Sequence, residues 1–243
     1  MTALFVSDLH LDASRPASTT AFLQFLDGPA RSADRLYILG DLFEAWTGDD
    51  AAGGHEQGIL SALHQYSGSG RACFFLRGNR DFLTGERFAA STGLTLLPDE
   101  SLIEIQGERI LLMHGDTLCT DDHAYQRYRR FVHRPLVQAL YLLLPRLVRS
   151  AIASIARRRS MAANTGKLPA IMDVNDGAVE AALRRHGVRC LIHGHTHRPA
   201  IHALTIDCQP GRRIVLGAWH EQGSVLAWGS GGPELTTLAF PAP

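Results

Sequence analysis

Short apolar runs alternate with longer amphipathic segments through the first half of the chain. Each run is four or five residues long, which is typical of a buried strand, and the segments between the runs have helical spacing. The predicted strands span residues 4–7, 36–39, 73–76, 101–105 and 109–113, and a later one begins at Cys190. The predicted helices span residues 19–26, 59–66, 82–92 and 176–186.

The end of the chain shows a different pattern, because short strands follow one another without helices between them. These strands span residues 201–206, 213–216, 225–228 and 235–240. Alternating strands and helices followed by strands alone predict an α/β fold, a layered sandwich of two packed sheets with helices outside. We expect the terminal strands to belong to the second sheet, and the whole of residues 1–243 to form one domain.

A basic segment interrupts this pattern. Residues 123–172 contain nine arginines, Lys167 and no acidic residue. Leucine and isoleucine recur there at helical spacing, with a break near Pro145. We therefore predict two or more helices, inserted between two core strands over residues 121–172, and call this segment the helical insert. It is either a cap with solvated arginines or a basic amphipathic surface for anionic lipid, and the absence of acids favours the second interpretation.

Composition argues against a nucleic-acid-binding protein and against a membrane-spanning one. The 243 residues carry 24 basic and 24 acidic side chains, and no basic stripe is interleaved with aromatics, which argues against nucleic acid as a partner. No uncharged run approaches the ~20 residues that cross a bilayer, and no signal peptide is expected at the N-terminus. The four widely spaced cysteines are typical of buried thiols in a reducing cytosol.

Polar residues follow the ends of the predicted strands. In an α/β sheet, ligands bind beyond the carboxyl ends of strands, so we expect these side chains to meet in one site. Carboxylate, amide and imidazole donors in this number suit two metal ions, with Mn or Fe favoured and Zn or Co as alternatives. The candidate metal ligands are Asp8, His10, Asp41, Asn79, His114, His195 and His197.

The ordered blocks D-x-H, G-D, G-N-R-D, H-G and G-H-x-H, from Asp8 to His197, resemble the calcineurin-like metallophosphoesterase family. The resemblance implies a four-layer αββα sandwich around a dinuclear site. It also implies that one metal is held by Asp8, His10, Asp41 and His197, and the other by Asp41, Asn79, His114 and His195, so that Asp41 bridges the pair.

Arg80 departs from the commoner family pattern, in which a histidine follows the asparagine. Arginine cannot act as a general acid at working pH, but it grips phosphate bidentately. A substrate with an already acidic leaving group does not need a histidine acid, so a pyrophosphate bond fits Arg80. Together with the helical insert and the block 216–219, Arg80 narrows the resemblance to the UDP-2,3-diacylglucosamine pyrophosphohydrolases of lipid A synthesis, peripheral enzymes on the cytoplasmic side of the bacterial inner membrane.

That resemblance implies Mn-dependent hydrolysis to UMP and 2,3-diacylglucosamine 1-phosphate by a monomer, with two Mn²⁺ per chain. It implies catalytic roles for Asn79, Arg80 and His195. The implied substrate contacts are Asn79, Arg80, Asp122, Tyr125, Phe131, Ser160, Asn164, Lys167 and His195.

Several alternatives stay open at this point. Asp122 can equally be a helix N-cap, and Ser160 and Asn164 can be ordinary helix-end polarity. The whole chain can be a soluble phosphoesterase acting on another nucleotide or phosphodiester, or a membrane-associated scaffold that has lost its metals. We expect the helical insert to form a lid over the site, with its arginines outward and an apolar channel beneath.

Overall fold

The computed structural model describes residues 2–164 and 173–240. Its strands are β1 (Ala3–Val6), β2 (Arg35–Leu39), β3 (Ala72–Leu76), β4 (Thr95–Leu97), β5 (Glu100–Ile105), β6 (Glu108–Met113), β7 (Cys190–His193), β8 (Ala200–Ile206), β9 (Gln209–Val215), β10 (Gln222–Gly229) and β11 (Gly232–Ala239). Its α-helices are α1 (Pro16–Asp27), α2 (Gly54–Gly68), α3 (Glu86–Thr92), α4 (His123–Val132), α5 (Pro135–Leu142), α6 (Arg146–Asn164) and α7 (Asp176–His186).

The strands form two sheets. The first has six strands in the order β11-β10-β1-β2-β3-β4, and the second has five in the order β5-β6-β7-β9-β8. Strands β1 to β4 are parallel, as are β6, β7 and β9, whereas β10, β11, β5 and β8 pair antiparallel with their neighbours. Parallel strands end at the same edge of a sheet, so the loops that follow them gather on one side of the molecule.

Alternation of side chains along the strands separates three hydrophobic cores. In β1, Leu4 and Val6 pack with α1 and α2, whereas Phe5 packs between the sheets. In β7, Ile192 joins the core between the sheets and Leu191 joins the core beneath α7. Three cores define four layers, helices on sheet on sheet on helix, which confirms the predicted αββα sandwich.

The structure corrects two sequence predictions about the strands. The terminal strands do not all join the second sheet, because β10 pairs with β1 and β11 with β10 in the first sheet, and only β8 and β9 lie in the second. Strand β4 was not predicted. It is three residues long and pairs only with β3, too short to give a recognisable alternation.

The predicted helix over residues 82–92 is also shorter than expected. Helix α3 begins at Glu86, after Gly85 as its N-cap. The preceding residues form a turn in which the N–H of Thr84 donates to the carbonyl of Asp81 at 3.0 Å. The carboxylate of Asp81 accepts backbone N–H groups of the residues that follow β2 and β3.

The helical insert consists of α4, α5 and the described part of α6, with Pro145 at the break before α6. Proline lacks the N–H that a continuing helix needs, which accounts for the interruption. Within the described ranges no helix is both long and apolar enough to cross a membrane.

Candidate dinuclear metal centre

The loops after five strands bring the predicted metal ligands together. β1 leads to Asp8 and His10, β2 to Asp41, β3 to Asn79, β6 to His114, and β7 to His195 and His197. Potential ligand atoms of Asp8, His10 and His197 lie within 4.8 Å of one another, and so do those of Asp8, Asp41 and His114. Both sheets contribute, so the site exists only when they are packed together.

Asp41 faces two groups of ligands with its two oxygens. Oδ2 of Asp41 lies 3.7 Å from Nε2 of His10, and Oδ1 lies 3.7 Å from Nε2 of His114. On the first side, Nε2 of His10 lies 3.3 Å from Nε2 of His197, which lies 3.2 Å from Oδ1 of Asp8. This two-sided position is the one that a bridging carboxylate needs.

Asn79 organises the second side. Its Oδ1 atom lies 2.9 Å from Nε2 of His114 and 3.0 Å from Nδ1 of His195. The other ring nitrogen of His114, Nδ1, lies 2.9 Å from the carbonyl oxygen of Leu39. Because a carbonyl only accepts, Nδ1 of His114 donates and Nε2 keeps its lone pair when the ring is neutral.

These donor atoms fit divalent cations. Oxygen and imidazole nitrogen lone pairs, with no thiolate, converge on a small buried volume, where Asp8 is fully buried and Asp41 is 2% exposed. Two buried carboxylates so close together need positive charge to balance them. A mixed N/O set of this kind suits Mn, Fe, Zn or Co.

The backbone at the centre is strained. Non-glycine residues with positive φ in the described structure include Asp8 (53°), His10 (48°), Asp41 (53°), His195 (68°) and His197 (57°). Such conformations cost about 1–3 kcal/mol each and persist where surrounding contacts impose them, commonly at functional sites. Here they turn five candidate ligands inward.

Two glycines make room for the carboxylates. A Cβ atom at Gly78 would collide with Oδ1 of Asp41, and a Cβ atom at Gly194 would collide with Oδ2 of Asp8. Neither position can therefore accept a side chain without displacing a candidate ligand.

Sequence reasoning missed the residues that hold these ligands in place. Asp81 is fully buried and accepts hydrogen bonds from the backbone N–H of Gly78 (2.8 Å) and Leu42 (2.7 Å). Ser7 donates to Oδ2 of Asp8 at 2.6 Å. The signal for Asp81 was its place in the G-N-R-D block, but a single sequence does not show what a buried carboxylate supports.

Burial and neighbouring charge shift the protonation equilibria. Burial, together with the charge of Asp41, raises the pKa of Asp81 to about 7. Burial alone would disfavour the imidazolium of His114, but the charges of Asp41 and Asp8 outweigh it and raise the pKa of His114 to about 9. Burial and the adjacent His114 lower the pKa of His195 to about 4. Positive charge is therefore favoured on His114, beside Asp41 and Asp8, and disfavoured on His195.

Arg80 lies at the rim, half-buried, with its backbone N–H donating to Oδ1 of Asp41 at 2.8 Å. Its side-chain Nε is buried and has no hydrogen-bond partner among the described residues. A guanidinium whose Nε–H lacks a partner can donate to an anionic oxygen.

Of the predicted substrate contacts, the structure brings Tyr125 to the centre. Its ring lies 6.0 Å from that of His195, and its hydroxyl donates to Oδ2 of Asp116 at 2.7 Å. Asp122 is the N-cap of α4 and accepts the backbone N–H of Tyr125 at 3.1 Å. The helix-cap interpretation of Asp122 is thus correct, and it leaves a substrate role open.

The remaining predicted contacts belong to the helical insert. Phe131 is 54% exposed, and the guanidinium of Arg134 lies over its ring, 6.0 Å from the centroid. Ser160 is half-buried in α6. Asn164 ends α6 without a described side chain, and Lys167 lies outside the described residues.

The arginines of the helical insert do not all face outward, which corrects the sequence prediction. Arg149 is 1% exposed and binds Asp50, with Nη1 to Oδ1 at 2.8 Å. Arg129 donates from Nε to Asp116 at 2.6 Å. The acids that neutralise these arginines come from outside the insert, so its own sequence could not show them.

Several apolar residues of the insert are exposed. Leu136, Leu140, Leu143 and Leu147 are 71%, 57%, 81% and 86% exposed. These leucines lie on α5, directly after it and at the start of α6, and none of them belongs to the three cores.

Comparison with known proteins places the chain in a family. The calcineurin-like phosphoesterase model matches residues 1–199. A UDP-2,3-diacylglucosamine hydrolase from Escherichia coli O17:K52:H18 is 53% identical over 240 residues, covering 99% of this chain and all of that enzyme, and the one from strain K12 is 52% identical with the same coverage. The solved structure of a dimetal phosphatase from Danio rerio covers 99% of both chains at 12% identity, with a TM-score of 0.48. The family match and the full-length identity, together with the ordered ligand blocks, establish that the chain belongs to the calcineurin-like phosphoesterase family and groups within it with the UDP-2,3-diacylglucosamine hydrolases.

Proposed function

We propose that this protein hydrolyses the pyrophosphate bond of UDP-2,3-diacylglucosamine to UMP and 2,3-diacylglucosamine 1-phosphate, using two Mn²⁺ ions. The observation that carries the proposal is full-length identity of 53% to a UDP-2,3-diacylglucosamine hydrolase. The candidate ligands that converge at the strand ends support it, because hydrolysis assisted by two metals needs such a group of ligands.

The two metals would be held on either side of Asp41. Asp8, His10 and His197 would complete one site, and Asn79, His114 and His195 the other. When bound, the ions would supply Lewis-acid stabilisation of charge on the phosphoryl oxygens and a lowered pKa for the attacking water. One chain carries all of these ligands, which supports a monomer as the working unit.

The chain's own residues would orient the substrate. The half-buried guanidinium of Arg80, whose Nε is unsatisfied, would bind a phosphate oxygen beside the centre and stabilise charge in the transition state. Asn79 and His195 would also contact the substrate and take part in catalysis. The ring of Tyr125 lies next to that of His195. We propose head-group contacts for Asp122, Phe131, Ser160, Asn164 and Lys167.

We propose that the protein works as a peripheral protein on the cytoplasmic face of the inner membrane. The exposed leucines of the helical insert support this, since Leu143 and Leu147 are more than four-fifths exposed. Exposed Arg158 and Arg159 lie on the same helix as Leu147, and basic residues near an anionic surface contribute about 1 kcal/mol each.

The deciding experiment measures UMP release with and without Mn²⁺ from the diacylated nucleotide sugar and from the same compound lacking acyl chains. We expect Mn-dependent release from the first and much slower release from the second. His114→Ala serves as the control for metal-dependent turnover. Equal rates on both compounds, or faster hydrolysis of an unrelated phosphodiester, would assign the protein to a soluble phosphoesterase activity instead.

A further inference from the structure

Glu44 joins the metal centre to the helical insert. It follows β2, three residues after Asp41, and its side chain is 9% exposed. Oε2 of Glu44 lies 2.7 Å from Nη2 of Arg15 and 3.4 Å from Nδ1 of His10, while Oε1 lies 3.1 Å from Nε of Arg157 in α6. One carboxylate therefore contacts both a candidate metal ligand and the insert.

The two ring nitrogens of His10 face different groups. Nε2 faces the centre, 3.3 Å from Nε2 of His197. Nδ1 is buried and has no ordinary hydrogen bond within the described part of the chain, and Glu44, at 3.4 Å, is the carboxylate beside it. For Nε2 to offer a lone pair to a metal, a neutral His10 must carry its proton on Nδ1, and a carboxylate there favours that tautomer.

Neighbouring groups hold Glu44 and His10 in this arrangement. Nη2 of Arg15 also donates to the carbonyl oxygen of His10 at 2.8 Å, and its Nη1 lies 2.7 Å from Nδ1 of His220. The ring of His220 stacks on that of His10, with centroids 5.6 Å apart. Glu44 and His10 thus have little freedom to move independently.

We propose that Glu44 is a positioning residue that fixes the tautomer and direction of His10 for metal binding, and that Arg157 couples the docking of α6 to this ligand through the same carboxylate. The proposal rests on the proposed metal-dependent function. It predicts that the insert influences metal affinity as well as substrate binding.

Mn²⁺ binding to the full-length protein, measured by calorimetry, tests the positioning role. Glu44→Gln keeps the shape but loses the charge, and we expect its affinity for the His10 side of the centre to fall about 10- to 100-fold, as for other residues that orient metal ligands. Glu44→Ala should fall as far or further, and the exposed Glu234→Gln should match wild type. Nitrogen chemical shifts of His10 should show loss of the Nδ1–H tautomer in Glu44→Gln.

Wild-type affinity and an unchanged His10 tautomer in a folded Glu44→Gln protein would overturn the positioning role. If wild type itself bound no divalent metal, the proposed function would fail instead, so the two failures are distinguishable. Thermal unfolding of the metal-free variants checks that each is folded.

The coupling role has its own test. Arg157→Ala should lower Mn²⁺ affinity several-fold in the wild-type background and have no further effect in the Glu44→Gln background. Arg158→Ala, which changes the adjacent exposed arginine, should leave Mn²⁺ affinity unchanged in both. An equal effect of Arg157→Ala in the two backgrounds, or none in either, would overturn the coupling.

Discussion

The carboxylate of Asp81 holds the backbone of Asp41 in its left-handed conformation. Oδ1 of Asp81 accepts the N–H of Asp41 at 3.3 Å, and its other oxygen accepts the N–H of Leu42 at 2.7 Å. Asp41 has a φ of 53° and turns both carboxylate oxygens towards the centre. A residue that is not itself a candidate ligand thus helps to hold the carboxylate of Asp41 in place.

Removing this support should destabilise the protein. Asp81→Ala leaves the buried N–H groups of Gly78, Asp41 and Leu42 without their acceptor, and each unsatisfied buried donor costs about 1–3 kcal/mol. We expect the free energy of unfolding, measured with urea, to fall by about 3 kcal/mol or more. Asp81→Asn retains an accepting oxygen and should lose less. Equal stability of Asp81→Ala and wild type would show that the loop does not depend on this carboxylate.

Replacing Asp41, the proposed bridging carboxylate, should abolish turnover without unfolding the protein. Asp41→Ala removes the group that faces both sets of ligands, and His114→Ala removes one imidazole. We expect both to lose several orders of magnitude in kcat, because the metal pair supplies most of the charge stabilisation. Metal analysis should find two divalent ions per wild-type chain. Near-normal turnover in either variant would contradict the assignment.

Arg80 should contribute through its planar guanidinium as well as its charge. Arg80→Lys keeps the charge but loses the bidentate geometry, and Arg80→Ala loses both. We expect both to fall below wild type in kcat/KM, with Ala lower than Lys by about 1–3 kcal/mol of transition-state stabilisation. Steady-state kinetics on the proposed substrate measures this, with the exposed Arg87→Ala as control. Wild-type kcat/KM in Arg80→Ala would remove Arg80 from the site.

The ion pair of Arg149 and Asp50 should stabilise the helical insert. Asp50→Ala leaves a guanidinium that is 1% exposed without its carboxylate. Breaking a buried pair costs about 3–5 kcal/mol, and we expect about 3 kcal/mol or less because the side chain of Asp50 is 35% exposed. Protection of α6 amides from hydrogen exchange should decrease, whereas Arg146→Ala, on the same carboxylate but exposed, should change little.

The same pair predicts a pH dependence. Hydrogen bonds from Arg149 lower the pKa of Asp50 from 3.8 to about 2. A carboxylate whose folded pKa lies below its unfolded value stabilises the fold above the unfolded pKa and loses that effect as pH falls through the folded one. The stability difference between wild type and Asp50→Asn should therefore be constant above about pH 5 and shrink below pH 4. A difference that grew with acidity would contradict the prediction.

The exposed leucines should mediate membrane association. Leu143→Ser with Leu147→Ser should weaken binding to vesicles containing phosphatidylglycerol, at little cost in stability, because both side chains are already exposed. Arg158→Ser with Arg159→Ser should weaken binding by about 1 kcal/mol per residue, and only at low salt. Ile201→Ser, an exposed apolar residue on β8, is the control. Unchanged co-sedimentation of all variants would show that this surface does not bind lipid.

The sequence alone determined the local elements and the kind of chemistry. Apolar runs located most strands of both sheets, and α7 matches its predicted bounds, because Asn175 caps its start and Gly187, at φ 62°, ends it. The residues after the strand ends identified the candidate ligands, since parallel strands bring their carboxyl ends to one edge.

Only the tertiary structure decided what holds those ligands and what neutralises the helical insert. Asp81 lies 40 positions from Asp41, Asp50 lies 99 from Arg149, and Asp8 lies 189 from His197. The sequence predicted arginines without partners because residues 123–172 contain no acidic residue, whereas packing supplies the acids from distant loops. Likewise, the sequence did not predict that β10 pairs with β1 in the first sheet, because this pairing is non-local. Neither the hydrophobic period nor the turn residues of a segment indicate which distant strand it will pair with.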